Sequence, residues 1–247
     1  MAEYSSDTGN TGDTSNTGDT GGGYGEDKYW SDEEVVQAVD ALEAGGLVLL
    51  KGDIGYGLFG TTERAIRKMY ELKGRPHSNP CIVIGNMAIL RDIAVAPHPK
   101  IWSWIERAIA WTTIAVVLPI NRESRLLRTL PPWVHGQTVT NGTVAAFLRT
   151  GPYLDVVVQR AFERDTMFVG SSANPSFQGN LYAFSDLPRE FISGADFYLD
   201  HGSCKYANPQ RLATTIVNFA NGTIKRRGVN AERIEREFAA LAGELTS

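Results

Sequence analysis

The amino-acid sequence predicts an α/β fold with one mixed β-sheet and flanking helices. Short apolar segments of strand length alternate with longer amphipathic segments along most of the chain, a pattern typical of this fold class. Hydrophobic residues make up 43% of the 247 residues, which is enough for a sizeable buried core. We therefore expect one α/β domain, residues 29–247, preceded by a segment of different composition.

The first predicted elements are a helix and a buried strand. Ser31 and Glu34 have the spacing of a capping box, and apolar residues follow at helical spacing until Gly45 and Gly46 end the helix. The apolar run 47–50 then predicts a strand. Because glycines flank the next polar residues, the segment 51–58 is predicted to be a glycine-rich loop.

Further strands and helices alternate downstream. The predicted strands are 81–84, 114–118, 144–148, 168–170, 197–199 and 215–219. The predicted helices are 63–72, 87–93, 100–110, 154–162 and 231–242. Two prolines and two glycines in the segment 131–142 predict a loop there.

Residues 1–28 differ from the rest of the chain in composition. They are rich in Gly, Thr, Asn, Ser and Asp, and the unit Asn-Thr-Gly-Asp-Thr occurs at 10–14 and again at 16–20. Six acidic residues and one lysine give them a net charge of −5, so the remaining residues carry about +1. Such a segment cannot offset its ordering entropy by burial, which predicts a disordered acidic tail. The near-neutral remainder excludes the broad basic face of a dedicated nucleic-acid binder.

Deletion of residues 1–28 is expected to leave the melting temperature and the activity nearly unchanged, because this segment has little apolar surface to bury. Thermal unfolding of the full-length and shortened proteins checks this. A large drop in either quantity would show that the acidic segment docks onto the rest of the chain.

Cysteine, histidine and hydropathy patterns limit the class of protein. The two cysteines form no disulfide framework, and the four histidines show no metal-ligand spacing, so no metal site is predicted. No stretch of 18 or more apolar residues is present, and no membrane association is predicted. These patterns predict a cytoplasmic protein.

A polar segment at 170–178, Gly-Ser-Ser-Ala-Asn-Pro-Ser-Phe-Gln, follows the apolar run 167–169. Loops at strand ends commonly hold ligands in α/β domains. Two serine hydroxyls, an asparagine amide and backbone N–H groups can together bind a phosphate or a ribose. An ordinary polar turn is the alternative.

Lys73 and Arg75 are two cations at the end of the predicted helix 63–72, beside a glycine and a proline. Arginine offers a planar fork of donors and lysine a point charge, so the pair can clamp a polyanion. The alternative is a solvated helix terminus, where cations favour the helix dipole.

Five short motifs occur in a fixed order between Leu42 and Val229. They are Asp53-x-x-Tyr56-Gly57-Leu58, Lys73-Gly74-Arg75-Pro76, Ser172-Ala173-Asn174-x-Ser176, Thr214-Thr215-Ile216-Val217-Asn218 and Arg226-x-Gly228. In order and spacing they resemble the YrdC-like family, whose best-known members are threonylcarbamoyl-adenylate synthases. The resemblance implies a single YrdC-like domain with a twisted mixed sheet and a concave ligand cleft.

The resemblance implies an enzyme that converts an amino acid, bicarbonate and ATP into a carbamoyl-adenylate and pyrophosphate, with Mg2+ as cofactor. It implies catalytic roles for Lys73 and Arg75. The implied nucleotide-binding residues are Lys73, Arg75, Ser172, Asn174, Thr215 and Arg226. The implied substrate-binding residues are Lys51, Asp53, Tyr56 and Arg149. The product would serve threonylcarbamoyladenosine formation in tRNA, which makes RNA a candidate partner.

Two departures from the family pattern concern the amino-acid substrate. The chain has Lys51-Gly52-Asp53-Ile54 where the family has Pro-Thr-(Asp/Glu)-Thr, and Trp-Thr-Thr-Ile-Ala at 111–115 where it has Pro-Gly-Pro-x-Thr. Because both hydroxyls of the first motif are replaced, we expect weak or absent use of L-threonine. Two alternatives stay open: a paralogue with the same nucleotide pocket and another small-molecule substrate, and a non-catalytic RNA- or nucleotide-binding module.

Overall fold

The structure, a computed structural model, describes residues 28–246. The predicted disorder of residues 1–28 therefore lies, apart from Lys28, outside the described residues. The helices are α1 (Asp32–Glu43), α2 (Glu63–Lys73), α3 (Met87–Ile93), α4 (Pro99–Ile109), α5 (Arg125–Thr129), α6 (Pro132–Thr138), α7 (Pro152–Glu163), α8 (Arg189–Gly194) and α9 (Ala231–Thr246). The strands are β1 (Val48–Lys51), β2 (Tyr56–Gly60), β3 (Ile82–Ile84), β4 (Ile114–Pro119), β5 (Val139–Thr140), β6 (Thr143–Leu148), β7 (Val169–Ser172), β8 (Phe197–Tyr198), β9 (Ile216–Asn218) and β10 (Thr223–Arg226).

The strands form one mixed sheet in the order β10-β9-β4-β6-β3-β7-β2-β1-β8, with β5 beside β6. The pairs β1–β8, β3–β6 and β4–β9 are parallel. The other neighbouring pairs are antiparallel. This sheet with its flanking helices confirms the predicted α/β fold. No helix between residues 28 and 246 is long and apolar enough to cross a membrane.

The prediction that residues 51–58 form a loop was wrong in part: residues 52–55 form a turn, but Lys51 belongs to β1 and residues 56–58 belong to β2. The N–H of Gly52 donates to the carbonyl oxygen of Gly55 at 2.9 Å, which closes a short hairpin turn. Strand β2 then pairs antiparallel with β1 along its length. A Cβ on Gly57 would lie 2.0 Å from the ring of Phe59, so this glycine serves close packing inside a strand.

The prediction of a loop at 131–142 was also wrong for most of its length. Pro132 is the first residue of α6, a position where its missing N–H costs nothing, and strand β5 follows directly. The short helices α5 and α8 and the edge strand β10 had no sequence prediction. All three have too few residues for a clear periodic pattern.

One face of the sheet is only partly covered, as the burial along β6 shows. Alternate residues of this strand point to opposite faces. Those on one face are buried, and those on the other are half-buried: Val144, Ala146 and Leu148 against Thr143, Ala145 and Phe147. The half-buried face forms the base of the cavity described below.

Gly170→Ala is expected to lower the free energy of unfolding by about 1–3 kcal/mol, the usual cost of overpacking. A Cβ at this position would lie 2.0 Å from the carbonyl oxygen of Leu58, a backbone atom fixed by the β2–β7 pairing. Chemical denaturation measures the change. Gly136→Ala is the matched control, since nothing lies within 4 Å of its Cβ position in α6. Equal stability of the two variants would contradict the packing argument.

Candidate functional site

The partly open face of the sheet is the floor of a cavity of about 310 Å³. Apolar side chains from five strands line this floor: Phe59, Ile82, Ile84, Val117, Ala145, Phe147 and Ile216. Residues i and i+2 of a strand share a face, which explains the pairs Ile82–Ile84 and Ala145–Phe147. Four floor residues are only half-buried: Ile82, Ala145, Phe147 and Ile216. The floor therefore presents apolar surface to any ligand that enters.

Three cations line the wall of the cavity: Arg75, Lys225 and Arg226. Within residues 28–246 no carboxylate lines it, and none pairs with these three side chains. Desolvation, and secondly the charge of Arg75, lower the pKa of Arg226 from its ordinary value, so the two guanidinium groups repel each other. A bound anion would relieve this repulsion, which favours a phosphate or carboxylate ligand at this wall.

A bulge in β10 brings two successive cations to the same cavity. Ile224 pairs with Val217 and Arg226 with Ile216, so Lys225 is the extra residue in the β9–β10 register. In a regular strand, neighbouring side chains point to opposite faces, and a bulge re-aims one of them. The guanidinium of Arg226 is further fixed by donating to the carbonyl oxygen of Thr214 at 2.9 Å.

Arg75 follows Gly74, which ends α2 in the left-handed conformation at φ 54°. The turn directs Arg75 towards the cavity, where its guanidinium donates to the carbonyl oxygens of Pro80 at 2.8 Å and Asn79 at 3.3 Å. These bonds orient the guanidinium group and leave some of its N–H donors for a ligand. The structure thus places Arg75 at the cavity, and its predicted contact with a ligand stays a prediction.

Lys73 has a different environment from Arg75. Its side chain is buried, and its ammonium donates to the carbonyl oxygens of Ser172 and Asn174, in the second case at 2.5 Å. Burial, and secondly the charge of Arg75, lower the pKa of Lys73 from 10.5 to about 7. Lys73 therefore holds the loop after β7 from behind, whereas Arg75 lines the cavity itself.

The last two residues of β7 are serines at the cavity, and a loop follows them. Ser171 and Ser172 line the cavity, and the N–H of Ala173 donates to the carbonyl oxygen of Tyr56 at 2.6 Å. Asn174 lies in the same loop and is buried; its Nδ2 donates to the carbonyl oxygen of Pro175. Its Oδ1 is buried and has no hydrogen-bond partner among the described residues. Asn174 does not line the cavity, so its predicted contact with a nucleotide stays a prediction.

The residues predicted to bind the second substrate are dispersed. Tyr56 lines the cavity, but its hydroxyl donates to the carbonyl of Gly202 and accepts from the N–H of His201. Burial raises the pKa of Tyr56 well above its ordinary value. The hydroxyl therefore has a structural role, and the side chain, 1% exposed, packs against Phe184 on the opposite face of β2 from Phe59.

Lys51, Asp53 and Arg149 lie outside the cavity wall. Lys51 donates to the carbonyl of His201 at 2.8 Å, and Asp53 is buried with its N–H bonded to the carbonyl of Thr150. Arg149 donates to the carbonyls of residues 109 and 110 at the end of α4, at 2.7 and 3.0 Å. The structure thus gives Lys51 and Arg149 side-chain bonds that hold loops, and it gives Asp53 a backbone bond. The predicted contacts of all three residues with substrate stay predictions.

Thr215 does not line the cavity either. Its buried hydroxyl donates to the carbonyl of Val229 at 2.8 Å and accepts from the N–H of Gly228 at 3.0 Å. Its neighbours in sequence, Thr214 and Ile216, line the cavity instead. Sequence reasoning had missed Thr214 and Lys225, together with Leu154 and Asn180 at another part of the wall.

The family resemblance implies Mg2+ as a cofactor, which requires a set of oxygen ligands. Within the described chain, no group of three or more His, Cys, Asp or Glu could hold a metal ion, and the cavity wall contains no carboxylate. Mg2+ prefers carboxylate and phosphate oxygens, so these residues do not fit a protein-held Mg2+ ion.

The fold and the cavity define an α/β protein with a cationic wall over an apolar floor. A family model, Sua5_yciO_yrdC, described as telomere recombination, matches residues 40–228. The chain therefore belongs to the Sua5/YciO/YrdC family, which confirms the resemblance found in its motifs. No curated protein sequence is significantly similar to the chain.

Solved structures share this fold at low sequence identity. P. abyssi Sua5 complexed with L-threonine matches with a TM-score of 0.66 and 19% identity, over 82% of this chain and 56% of that one. E. coli YciO matches with a TM-score of 0.64 and 13% identity, over 81% and 91%. Full-length HypF in the phosphate- and nucleotide-bound form matches with a TM-score of 0.56 and 16% identity, over 75% and 27%. The chain thus spans 56% of the length of that P. abyssi Sua5 chain.

Proposed function

We propose that the protein is an ATP-dependent carbamoyl-adenylate synthase that uses an amino acid and bicarbonate. The observation that carries this proposal is the cavity wall, where Arg75, Lys225 and Arg226 converge with no lining carboxylate among the described residues. A triphosphate carries the multiple negative charges that such a wall would neutralise. Ser171 and Ser172, at the end of β7, line the same cavity and would offer hydrogen-bonding groups to phosphate or ribose.

The reaction needs little covalent help from the protein. The amine attacks the carbon of bicarbonate, a C–N bond forms, and water is lost to give a carbamate. A carbamate oxygen then attacks the α-phosphorus of ATP, a P–O bond forms, and pyrophosphate leaves. The cations would stabilise charge on the triphosphate, and the ordered loop would hold the reactants in line. Mg2+ would arrive with ATP as part of the substrate.

The structural relatives give independent support for two ligands. Sua5 has been crystallised with L-threonine, and HypF with phosphate and nucleotide. We propose that this chain likewise binds an amino acid and a nucleotide in its cavity. A role in tRNA modification and a cytoplasmic location are part of the same proposal.

The test is incubation of the full chain with ATP, Mg2+, bicarbonate and each amino acid in turn, followed by mass detection of adenylates and assay of pyrophosphate. We expect pyrophosphate release that depends on both bicarbonate and one class of amino acid. ATP binding without pyrophosphate release under any condition would support the non-catalytic nucleotide-binding module instead. Release that needs no amino acid would favour the paralogue with another substrate.

A further inference from the structure

The wall of the cavity has an apolar part as well as the cationic part. Different segments of the chain hold the two parts in place. Ile54, Gly55 and Leu154 line the apolar part, and both larger side chains are almost fully buried, at 1% exposure. The segment 53–56 is held by residues 180, 202 and 206, whereas Arg75 is held by residues 79 and 80. The two parts are therefore built on separate segments of the chain.

Three polar side chains beside the apolar part make hydrogen bonds within the protein. The hydroxyl of Tyr56 is bonded to residues 201 and 202, as described above. Nδ2 of Asn180 donates to the carbonyl oxygen of Ile54 at 2.9 Å. The hydroxyl of Thr150, behind the turn, donates to Oδ1 of Asp155 at 2.8 Å. A ligand hydroxyl placed against Ile54 and Leu154 would lose its water and meet apolar atoms, which is unfavourable.

The positive charge of the cavity wall disfavours amino acids with a basic side chain. All the ionised side chains on its wall are cations, and no carboxylate lines it between residues 28 and 246. A basic ligand side chain would therefore be repelled and would find no ion-pair partner. An uncharged apolar side chain meets neither obstacle.

From these contacts we infer that the acceptor is an amino acid with an uncharged apolar side chain, which lies against Ile54 and Leu154. This inference rests on the proposed function, because it names the amino acid which that reaction uses. L-Valine and L-threonine provide the sharpest comparison, since they differ only in a methyl group and a hydroxyl of similar size. An apolar pocket typically prefers one such isostere over the other by up to about 100-fold.

The test measures pyrophosphate release with ATP, Mg2+ and bicarbonate as L-valine or L-threonine is varied. We expect kcat/KM for L-valine to exceed that for L-threonine by about 10- to 100-fold. Ile54→Thr, which supplies a hydroxyl to the pocket, is expected to reduce this ratio about tenfold. Ile192→Thr is the matched control, because Ile192 is half-buried in α8 outside the cavity wall. The wild-type ratio alone decides the inference if Ile54→Thr fails to fold.

A binding measurement separates failure of the inference from failure of the proposed function. Calorimetry of both amino acids is carried out on protein saturated with a non-hydrolysable ATP analogue. Release of pyrophosphate with equal use of the two amino acids, or with preference for L-threonine, overturns the inference and leaves the proposed function standing. No release, with L-valine bound at least about tenfold more tightly, overturns the proposed function and supports the apolar pocket. No release and no preference in binding overturns both.

Discussion

Arg75→Ala is expected to weaken ATP binding at least about tenfold, because hydrogen bonds to charged groups contribute about 1.5–3 kcal/mol. Arg75 lines the cavity beside Arg226, whose guanidinium it repels. Loss of this repulsion offsets the loss of the bonds to the carbonyls of Asn79 and Pro80, so the fold should persist. Calorimetric titration with ATP measures the affinity, and thermal unfolding checks the fold.

Two further variants show whether the effect is specific to Arg75. Arg128→Ala removes an exposed arginine that pairs with Glu123 outside the cavity, and should leave ATP affinity unchanged. Arg75→Lys keeps the charge and loses the planar fork, so an intermediate affinity is expected. Wild-type ATP affinity in Arg75→Ala would remove this residue from the site.

Lys73→Met is expected to lower adenylate formation about a hundredfold, because the loop that carries Ser172 and Asn174 would lose its anchor. The ammonium donates to the carbonyl oxygens of both residues, and methionine fills a similar volume without a donor. The steady-state rate of pyrophosphate release measures the effect. A wild-type rate would show that the loop keeps its position without Lys73.

The lowered pKa of Lys73 predicts that the stability of the fold depends on pH. Burial lowers the pKa of Lys73 from 10.5 to about 7, so above pH 7 the unfolded chain binds a proton that the folded chain has released. The free energy of unfolding should therefore rise with pH from about 7, a window that extends towards 10.5. Measurements below pH 9 avoid Cys81 and Cys204, since burial raises the pKa of each thiol above its ordinary value of 9.0. Denaturation of wild type and Lys73→Met across this range should show the rise only in wild type.

The placement of Lys73 could have been predicted more fully from the sequence. Ile66, Met69, Tyr70 and Lys73 have the spacing of one helical face, and the structure buries all four on α2. The charge of Lys73 favoured an outward side chain, whereas its position in the helix favoured an inward one. The side chain points inward because two backbone carbonyl oxygens accept hydrogen bonds from its ammonium group.

Some residues of the cavity wall could be predicted from the sequence, and others could not. Arg75 and Ser172 line the cavity, and their short motifs had marked both segments as candidate ligand sites. Lys225 reaches the cavity through a bulge, which depends on the pairing of β10 with β9 and leaves no periodic signal in four residues. Leu154 reaches it because the chain brings α7 close to the β1–β2 turn, and this packing is a property of the whole fold.

The bulge in β10 has a consequence for association between molecules. β10 is an edge strand of the sheet, and an edge with unpaired backbone groups is a template for aggregation. Exposed lysine and arginine, a short strand and a bulge all oppose such pairing, and β10 combines the three in Thr223–Arg226. The cations that face the cavity therefore also protect the edge. Neutral replacements of Lys225 and Arg226 would be expected to favour self-association as well as to weaken anion binding.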